Sequence, residues 1–210
     1  MAGVTGGDYR GQVKRIVIAG GIGAGKTVVT DRLLELNWTV VDSDLIAHQV
    51  TAAGRPAWRA LRDAFGDAVL TSGGELDRPF VADIVFHDPS ALRRLNNITH
   101  GYIGAEIIAQ LDVAPGAAAF ISLPLFQSEH RDVFSVDEVW AVQVRPETAV
   151  RRLCEYRGFT ESDARARLSV QMTNEERTAI VDRVMWNEGS IDDLYVQLDA
   201  LLHGAGLGRG

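Results

Sequence analysis

The chain is poor in cysteine and in lysine: Cys154 stands alone, and of 21 lysines and arginines only Lys14 and Lys26 are lysines. A single cysteine excludes an internal disulfide and any multi-cysteine metal site, so Cys154 reads as a small core residue. His48, His87, His100, His130 and His203 follow no His-Glu-x-x-His or comparable spacing, and no Gly-x-Ser-x-Gly elbow occurs. Zinc and serine-hydrolase chemistry therefore find no support. No run of about 18 uninterrupted apolar residues is present, which argues against a helical membrane span. Met1 to Gln12 lacks the basic start and apolar centre of a signal peptide, so the cytoplasm is the expected location. The net charge of −7 disfavours a broad nucleic-acid surface. The expected partner is a small molecule, with local basic clusters serving its anionic groups. Nothing in the pattern fixes an oligomeric state.

What the chain does hold is a glycine loop. Gly20-Gly-Ile-Gly-Ala-Gly-Lys26-Thr27 fits Gly-x4-Gly-Lys-[Ser/Thr]. It stands between a β-branched apolar run, Arg15 to Ala19, and a helical pattern, Val28 to Leu36, with Leu33, Leu34 and Leu36 toward a core. Glycines let the amides of Gly21, Ile22, Gly23, Ala24 and Gly25 converge on phosphate oxygens at the positive end of that helix. Lys26 adds a mobile cation for the β and γ phosphates of ATP. Thr27 offers its hydroxyl to the accompanying Mg²⁺. A dinucleotide-binding fingerprint fails, because Lys26 takes the third glycine position.

Further apolar runs at Trp38 to Val41, Ala117 to Ser122, Val136 to Val144 and Arg183 to Trp186 are separated by helical patterning. The fold class predicted is α/β, with a five-stranded parallel sheet and helices on both faces. Residues 14–50, 116–146 and 181–203 form the expected nucleotide-binding core. Residues 51–115 read as an inserted helical subdomain for the acceptor, with apolar spacing around Trp58 and Leu61, around Val81 and Ile84, and from Leu92 to Leu111. Pro89 suits the start of the long helix, and Pro115-Gly116 ends the excursion. Residues 147–180 read as a lid: a helix from Glu147 to Arg157, a break at Gly158 and a new start at Thr160-Glu-Ser-Asp163. Ser190 opens the last helix, with Ile191, Leu194, Tyr195, Leu198 and Leu201 inward. Residues 1–13 and 204–210 read as flexible tails.

Two carboxylates, Asp42 and Asp44, follow the second strand at the carboxyl edge of the sheet, where open α/β sheets bind ligands. Asp44 is placed to orient or deprotonate an attacking hydroxyl, and Asp42 to help hold the magnesium shell. The alternative for Asp44 is an N-cap before Leu45 to Val50. Arg151, Arg152, Arg157, Arg165 and Arg167 cluster in the lid, where Arg165 and Arg167 flank a face that closes over a triphosphate, excluding water and neutralising γ-phosphate charge. The alternative is a solvated face balanced by Glu155, Glu161 and Asp163. His100, on the apolar-patterned long helix, is by default a hydrogen-bonded packing residue.

With these pieces in order, the chain resembles the dephospho-coenzyme A kinase family from Ile16 to Leu202. The resemblance is carried by the glycine loop, Val41-Asp-Ser-Asp44 with Ala47, Leu76-Asp77-Arg78 running to Val85-Phe86, and Leu95-Asn-Asn-Ile-Thr-His100. Further on it includes Pro124-Leu125, Arg152-Leu153, Ala164-x-x-Arg167 to Gln171 and Asp182-x-Val184-x-x-Asn187-x-Gly189. It implies a P-loop kinase of nucleoside-monophosphate-kinase type that uses ATP and Mg²⁺ to phosphorylate the ribose 3′-hydroxyl of dephospho-coenzyme A. It also implies roles: Lys26 and the loop amides on ATP, Thr27 toward the metal, Asp44 as base, and Asp77, Arg78 and His100 in the acceptor subdomain. Arg152 and Arg167 then belong to the lid and Asn187 lies near the adenine. The chain departs from the family pattern at His48, where arginine is usual, at Gly101, at Pro-Leu-Phe-Gln-Ser-Glu129, at Ala149 and at Tyr156-Arg157-Gly158. These departures leave two alternatives open: a divergent paralogue acting on another small-molecule hydroxyl, and a nucleotide-binding regulator without transfer.

Overall fold

The computed structural model describes residues 13–208. It divides into two compact units, one made of the chain up to Val41 and from Val113 onward, the other of Asp42–Asp112.

The first unit is built on five strands: β1 (Lys14–Gly20), β2 (Thr39–Asp42), β3 (Ala118–Ser122), β4 (Glu138–Gln143) and β5 (Arg183–Trp186), in spatial order β2-β3-β1-β4-β5. β1 pairs in parallel with β3 and β4, and β4 with β5. A central parallel strand is covered on both faces, which is why Ile16, Val17, Ile18 and Ala19 form an unbroken apolar run and are all buried. The chain passes from β3 on one side of β1 to β4 on the other. That makes the carboxyl end of β1 the switch point where such sheets open a crevice.

Helix α1 (Lys26–Glu35) follows β1 directly and packs Val29 and Leu33 on the sheet. Leu34, expected inside, is 53% exposed, because the buried stripe of α1 runs through Val29, Thr30 and Leu33. The helix ends on Asn37 in the left-handed region (φ 56), with the Trp38 N–H donating to the Leu33 carbonyl at 2.9 Å. Trp38 then meets Phe120 edge-on at 5.8 Å, and Phe120 meets Trp140 at 5.7 Å, across the same core.

The second unit carries α2 (Ser43–Val50), α3 (Pro56–Phe65), α4 (Arg78–His87) and α5 (Pro89–Asp112). Helix α5 is its spine, and α2, α3 and α4 each pack on it. The unit starts at Asp42 rather than at residue 51, since α2 packs with the helical group. Ile46, Leu61, Val81, Ile107 and Leu111 are buried.

Returning to the first unit, the chain forms the short α6 (His130–Phe134), then α7 (Pro146–Arg157), α8 (Glu161–Ser169), α9 (Asn174–Thr178) and α10 (Ile191–Gly204). Gly158 ends α7 in the left-handed region (φ 68), as its position in the sequence predicts. Thr160 caps α8, and Ser190 and Asp193 form a full capping box on α10. On α10 the buried residues are Leu194, Leu198 and Leu202, whereas Ile191, expected inward, is exposed in the first turn. Of the expected tails, residues 1–12 and 209–210 lie outside the described residues. Leu207, in the expected second tail, is buried in the sheet core and its N–H donates to the Leu202 carbonyl at 2.8 Å.

Candidate active site at the glycine loop

The turn from β1 to α1 demands glycine at several points. A Cβ at Gly20 would come within 2.9 Å of the Val142 carbonyl oxygen, and one at Gly23 within 3.3 Å of the Ala149 carbonyl oxygen. Gly25 has φ 96 and faces Asn187 Nδ2 so closely that a Cβ there would collide with it. The backbone is thus held in a shape that only glycine permits at small cost. Gly25 is also the N-cap of α1, and among the described residues no side chain caps that helix. Its first turn, Lys26-Thr27-Val28, contains no carboxylate. The positive end of the dipole therefore stands ready for an anion, while of the loop amides Ile22 and Ala24 already donate within the protein, to Gln171 Oε1 and the Gly21 carbonyl.

Several side chains fasten this loop. Asn187 follows β5 and is buried; its Nδ2 donates to the Ala24 carbonyl at 2.9 Å, and its own N–H donates to the Gln143 carbonyl at 2.9 Å. Arg152 on α7 donates to the Asn187 carbonyl at 2.9 Å and to the Gly23 carbonyl at 3.4 Å. Gln171 Oε1 accepts from the Ile22 N–H at 2.9 Å. Lys26 Nζ donates to Ser122 Oγ at 2.5 Å, which places the ammonium at the carboxyl end of β3. Thr27 is exposed, and its carbonyl accepts from Thr30 Oγ1 at 3.0 Å. Next to Asn187, Glu188 accepts from the Arg145 N–H and from Thr148 Oγ1. Burial works to raise its carboxyl, but those hydrogen bonds and the charges of Arg145 and Arg152 outweigh it and hold the group below the usual range.

The arginines of residues 147–180, the segment expected to form a lid, divide. Arg165 pairs with Glu161 on its own helix, Nη2 to Oε1 2.8 Å, the solvated arrangement. Arg167 is exposed and lies over the Phe159 ring at 4.5 Å.

In the second unit the carboxylates take local work. Asp42, not Asp44, caps α2: its Oδ1 accepts from the Asp44 N–H at 2.8 Å and the Leu45 N–H at 3.1 Å. Asp44 is left with an exposed carboxylate. Asp77 Oδ1 caps α4 by accepting from the Phe80 N–H at 3.0 Å. Arg78 Nη2 donates to Thr51 Oγ1 at 2.7 Å, and partial burial lowers its guanidinium from the ordinary value. His100 is exposed on α5 rather than packed.

Sequence reasoning passed over Ser122 and Arg177, and with them all of α9. A signal for α9 was present: Thr173 followed three residues later by Glu176 is a capping-box pattern, and both of its reciprocal bonds form. No local pattern marks Ser122 as a partner for Lys26, since it reads as the polar end of an apolar strand.

The donor set bears on a divalent cation. Among the described residues no cluster of three or more His, Cys, Asp or Glu side chains gathers to hold a metal. A single exposed hydroxyl at Thr27 suits Mg²⁺, which keeps several waters and takes its remaining ligands from phosphate oxygens.

A family model described as dephospho-CoA kinase matches residues 15–193. The chain belongs to the dephospho-CoA kinase family. A dephospho-CoA kinase of Aromatoleum aromaticum is 40% identical over 186 residues, 88% of this chain and 90% of its own. One of Streptomyces avermitilis is 42% identical over 182 residues, 86% of this chain and 88% of its own. A solved protein of Thermus thermophilus superposes with a TM-score of 0.78 at 28% identity, covering 92% of this chain and 98% of its own. The chain is a dephospho-CoA kinase by family: a phosphotransferase with ATP as donor and a small molecule as acceptor. Among the described residues no helix is long and apolar enough to cross a membrane.

Proposed function

We propose that this chain moves the γ-phosphoryl group of ATP onto the ribose 3′-hydroxyl of dephospho-coenzyme A, giving coenzyme A and ADP. The observation that carries this reading is the uncapped start of α1, with Gly25 in the left-handed region and Lys26 drawn to the end of β3. The loop amides and Lys26 hold the phosphate chain, and the fixed dipoles stabilise charge that develops in transfer without reorganising. Thr27 is the protein donor to Mg²⁺. When bound, that ion neutralises charge on the β and γ oxygens. Asn187 and Arg152 brace the loop on the side proposed for the adenine, and Arg167 is one of the arginines the lid offers. Asp44 accepts the proton of the ribose hydroxyl; its carboxylate is exposed and free of the cap that Asp42 provides. Asp42 positions Asp44 by that cap, and Asp77 does the same for Arg78, which with His100 meets the anionic groups of the acceptor.

Incubation of the purified protein with ATP, Mg²⁺ and dephospho-coenzyme A should give a product heavier by one phosphate. In Asp44→Asn, turnover should fall about 10²- to 10⁴-fold while ATP affinity stays within about twofold. Full activity in that variant would remove Asp44 from the mechanism. Tight ATP binding without any product would move the chain to another acceptor or to a binding role.

A further inference from the structure

A cavity of about 390 Å³ opens beside the loop within the first unit, with Gly21, Ile22, Leu168, Gln171, Met172 and Arg177 among its lining residues. Arg177, on α9, is half-buried there, and a Cβ on Gly21 would stand 3.2 Å from its Nη2. Its Nη1 donates to Asn174 Oδ1 at 3.2 Å and its Nη2 to the Met172 carbonyl at 2.9 Å. Both acceptors are neutral, and among the described residues no carboxylate forms an ion pair with this guanidinium. Burial pulls its pKa down, although the charge of Glu176 acts against that shift. Guanidinium nonetheless stays protonated, so a half-buried cation stands beside the phosphate loop, hydrogen-bonded only to neutral acceptors and with Glu176 acting on it electrostatically.

Such a group is costly to keep unless something anionic comes to meet it. The other arginines of this region are already engaged: Arg165 with Glu161, Arg167 over Phe159, and Arg152 with Asn187. Position along the loop decides which anion. Asn187 and Arg152 hold the Ala24 and Gly23 carbonyls, toward the end of the loop proposed for the base. Arg177 lies on Gly21, at the opposite end. Beside it Gln171 Oε1 accepts from the Ile22 N–H at 2.9 Å. A nucleotide laid along the loop with its inner phosphates at the start of α1 brings its terminal phosphate to the Gly21–Ile22 end.

We propose that Arg177 contacts the terminal phosphate of ATP alongside Lys26, so that it distinguishes triphosphate from diphosphate at this loop. The assignment rests on the nucleotide reading of the loop given above. A merely structural Arg177 would tie α9 to Met172 and be indifferent to the third phosphate.

Titration calorimetry of the full chain with ATP and, separately, with ADP tests this without turnover. In Arg177→Ala the Kd for ATP should rise about 10-fold or more, the loss of a charge-assisted contact, while the Kd for ADP stays within about twofold. Arg177→Gln, which keeps a donor for the Met172 carbonyl, should show the same selective loss. Arg177→Lys should recover most of the ATP affinity. Thermal melting without nucleotide identifies a variant that fails to fold, in which case the Gln and Lys variants decide. Equal weakening of ATP and ADP, or no change in either, overturns the assignment while leaving the kinase reading intact. Failure of the unaltered protein to bind ATP would overturn both.

Discussion

Around the glycine loop, the polar side chains of the first unit reach across the fold to the loop itself. Asn187 holds the Ala24 carbonyl, Arg152 the Gly23 carbonyl and Gln171 the Ile22 amide, over sequence separations of 163, 129 and 149 residues. In the helical unit the carboxylates act over a few residues, with Asp42 and Asp77 capping the helices that follow them. Asp44 and His100 are exposed, and Arg78 alone of the candidate residues reaches further, to Thr51 over a separation of 27 residues. The contrast separates two ways of preparing a site. A loop fixed by distant side chains is organised before its ligand arrives, so that little reorganisation opposes charge transfer. Groups placed by helix caps are aimed locally and keep their hydration until a substrate displaces it.

The largest expected effect lies on the organised side. Lys26→Ala should lower turnover by about 10²- to 10³-fold, in steady-state assays with ATP saturating, with little change in the denaturant midpoint. Lys26→Arg should not restore the rate, since a planar fork cannot stand where a compact ammonium meets the Ser122 hydroxyl. Unchanged turnover in Lys26→Ala would mean that the loop amides alone hold the phosphates.

Next comes a pair of glycine substitutions, one in each unit. Gly25→Ala forces a side chain to φ 96 and onto Asn187 Nδ2, breaking the bond to the Ala24 carbonyl. The expected cost is about 2–4 kcal/mol of stability, together with loss of ATP binding. Gly74 also has a positive φ, 80, but nothing lies within 4 Å of a Cβ built on it. Gly74→Ala should cost only about 1 kcal/mol, from backbone strain alone. Equal costs in urea titrations would break the comparison, because they would reduce the loop's rigidity to generic backbone strain.

Legibility in the sequence follows the same division. The strands were readable because parallel strands buried on both faces are continuous apolar runs, and the helix limits because Pro89, Gly158 and Ser190 act within one turn. The phosphate loop was readable because its spacing is local. Leu34 and Ile191 were misplaced because the apolar pattern of a short helix does not settle the phase of its buried stripe. The N-cap, an alternative raised only for Asp44, falls instead to Asp42, because β2 ends at Asp42 and α2 begins at Ser43. Ser122 beside Lys26, and Arg177 beside Gly21, arise when α9 and the end of β3 are brought to the loop by the fold, and no local spacing encodes that meeting.

The smallest effect sharpens the other side of the comparison. Asp77 stands in the Leu76-Asp77-Arg78 stretch, and its Oδ1 accepts from the Phe80 N–H at 3.0 Å while its N–H donates to the Val69 carbonyl at 2.8 Å. If its work is to start α4 and so hold Arg78 against Thr51, then serine, an equally good N-cap, should replace it. Asp77→Ser should keep both the urea midpoint and the KM for the acceptor. Asp77→Ala should lose about 1 kcal/mol of stability and raise that KM modestly as the Arg78 end of the helix frays. A several-fold rise in KM for Asp77→Ser at unchanged stability would instead mean that the carboxylate itself touches the acceptor, and the helical unit would then share the pre-built character of the loop.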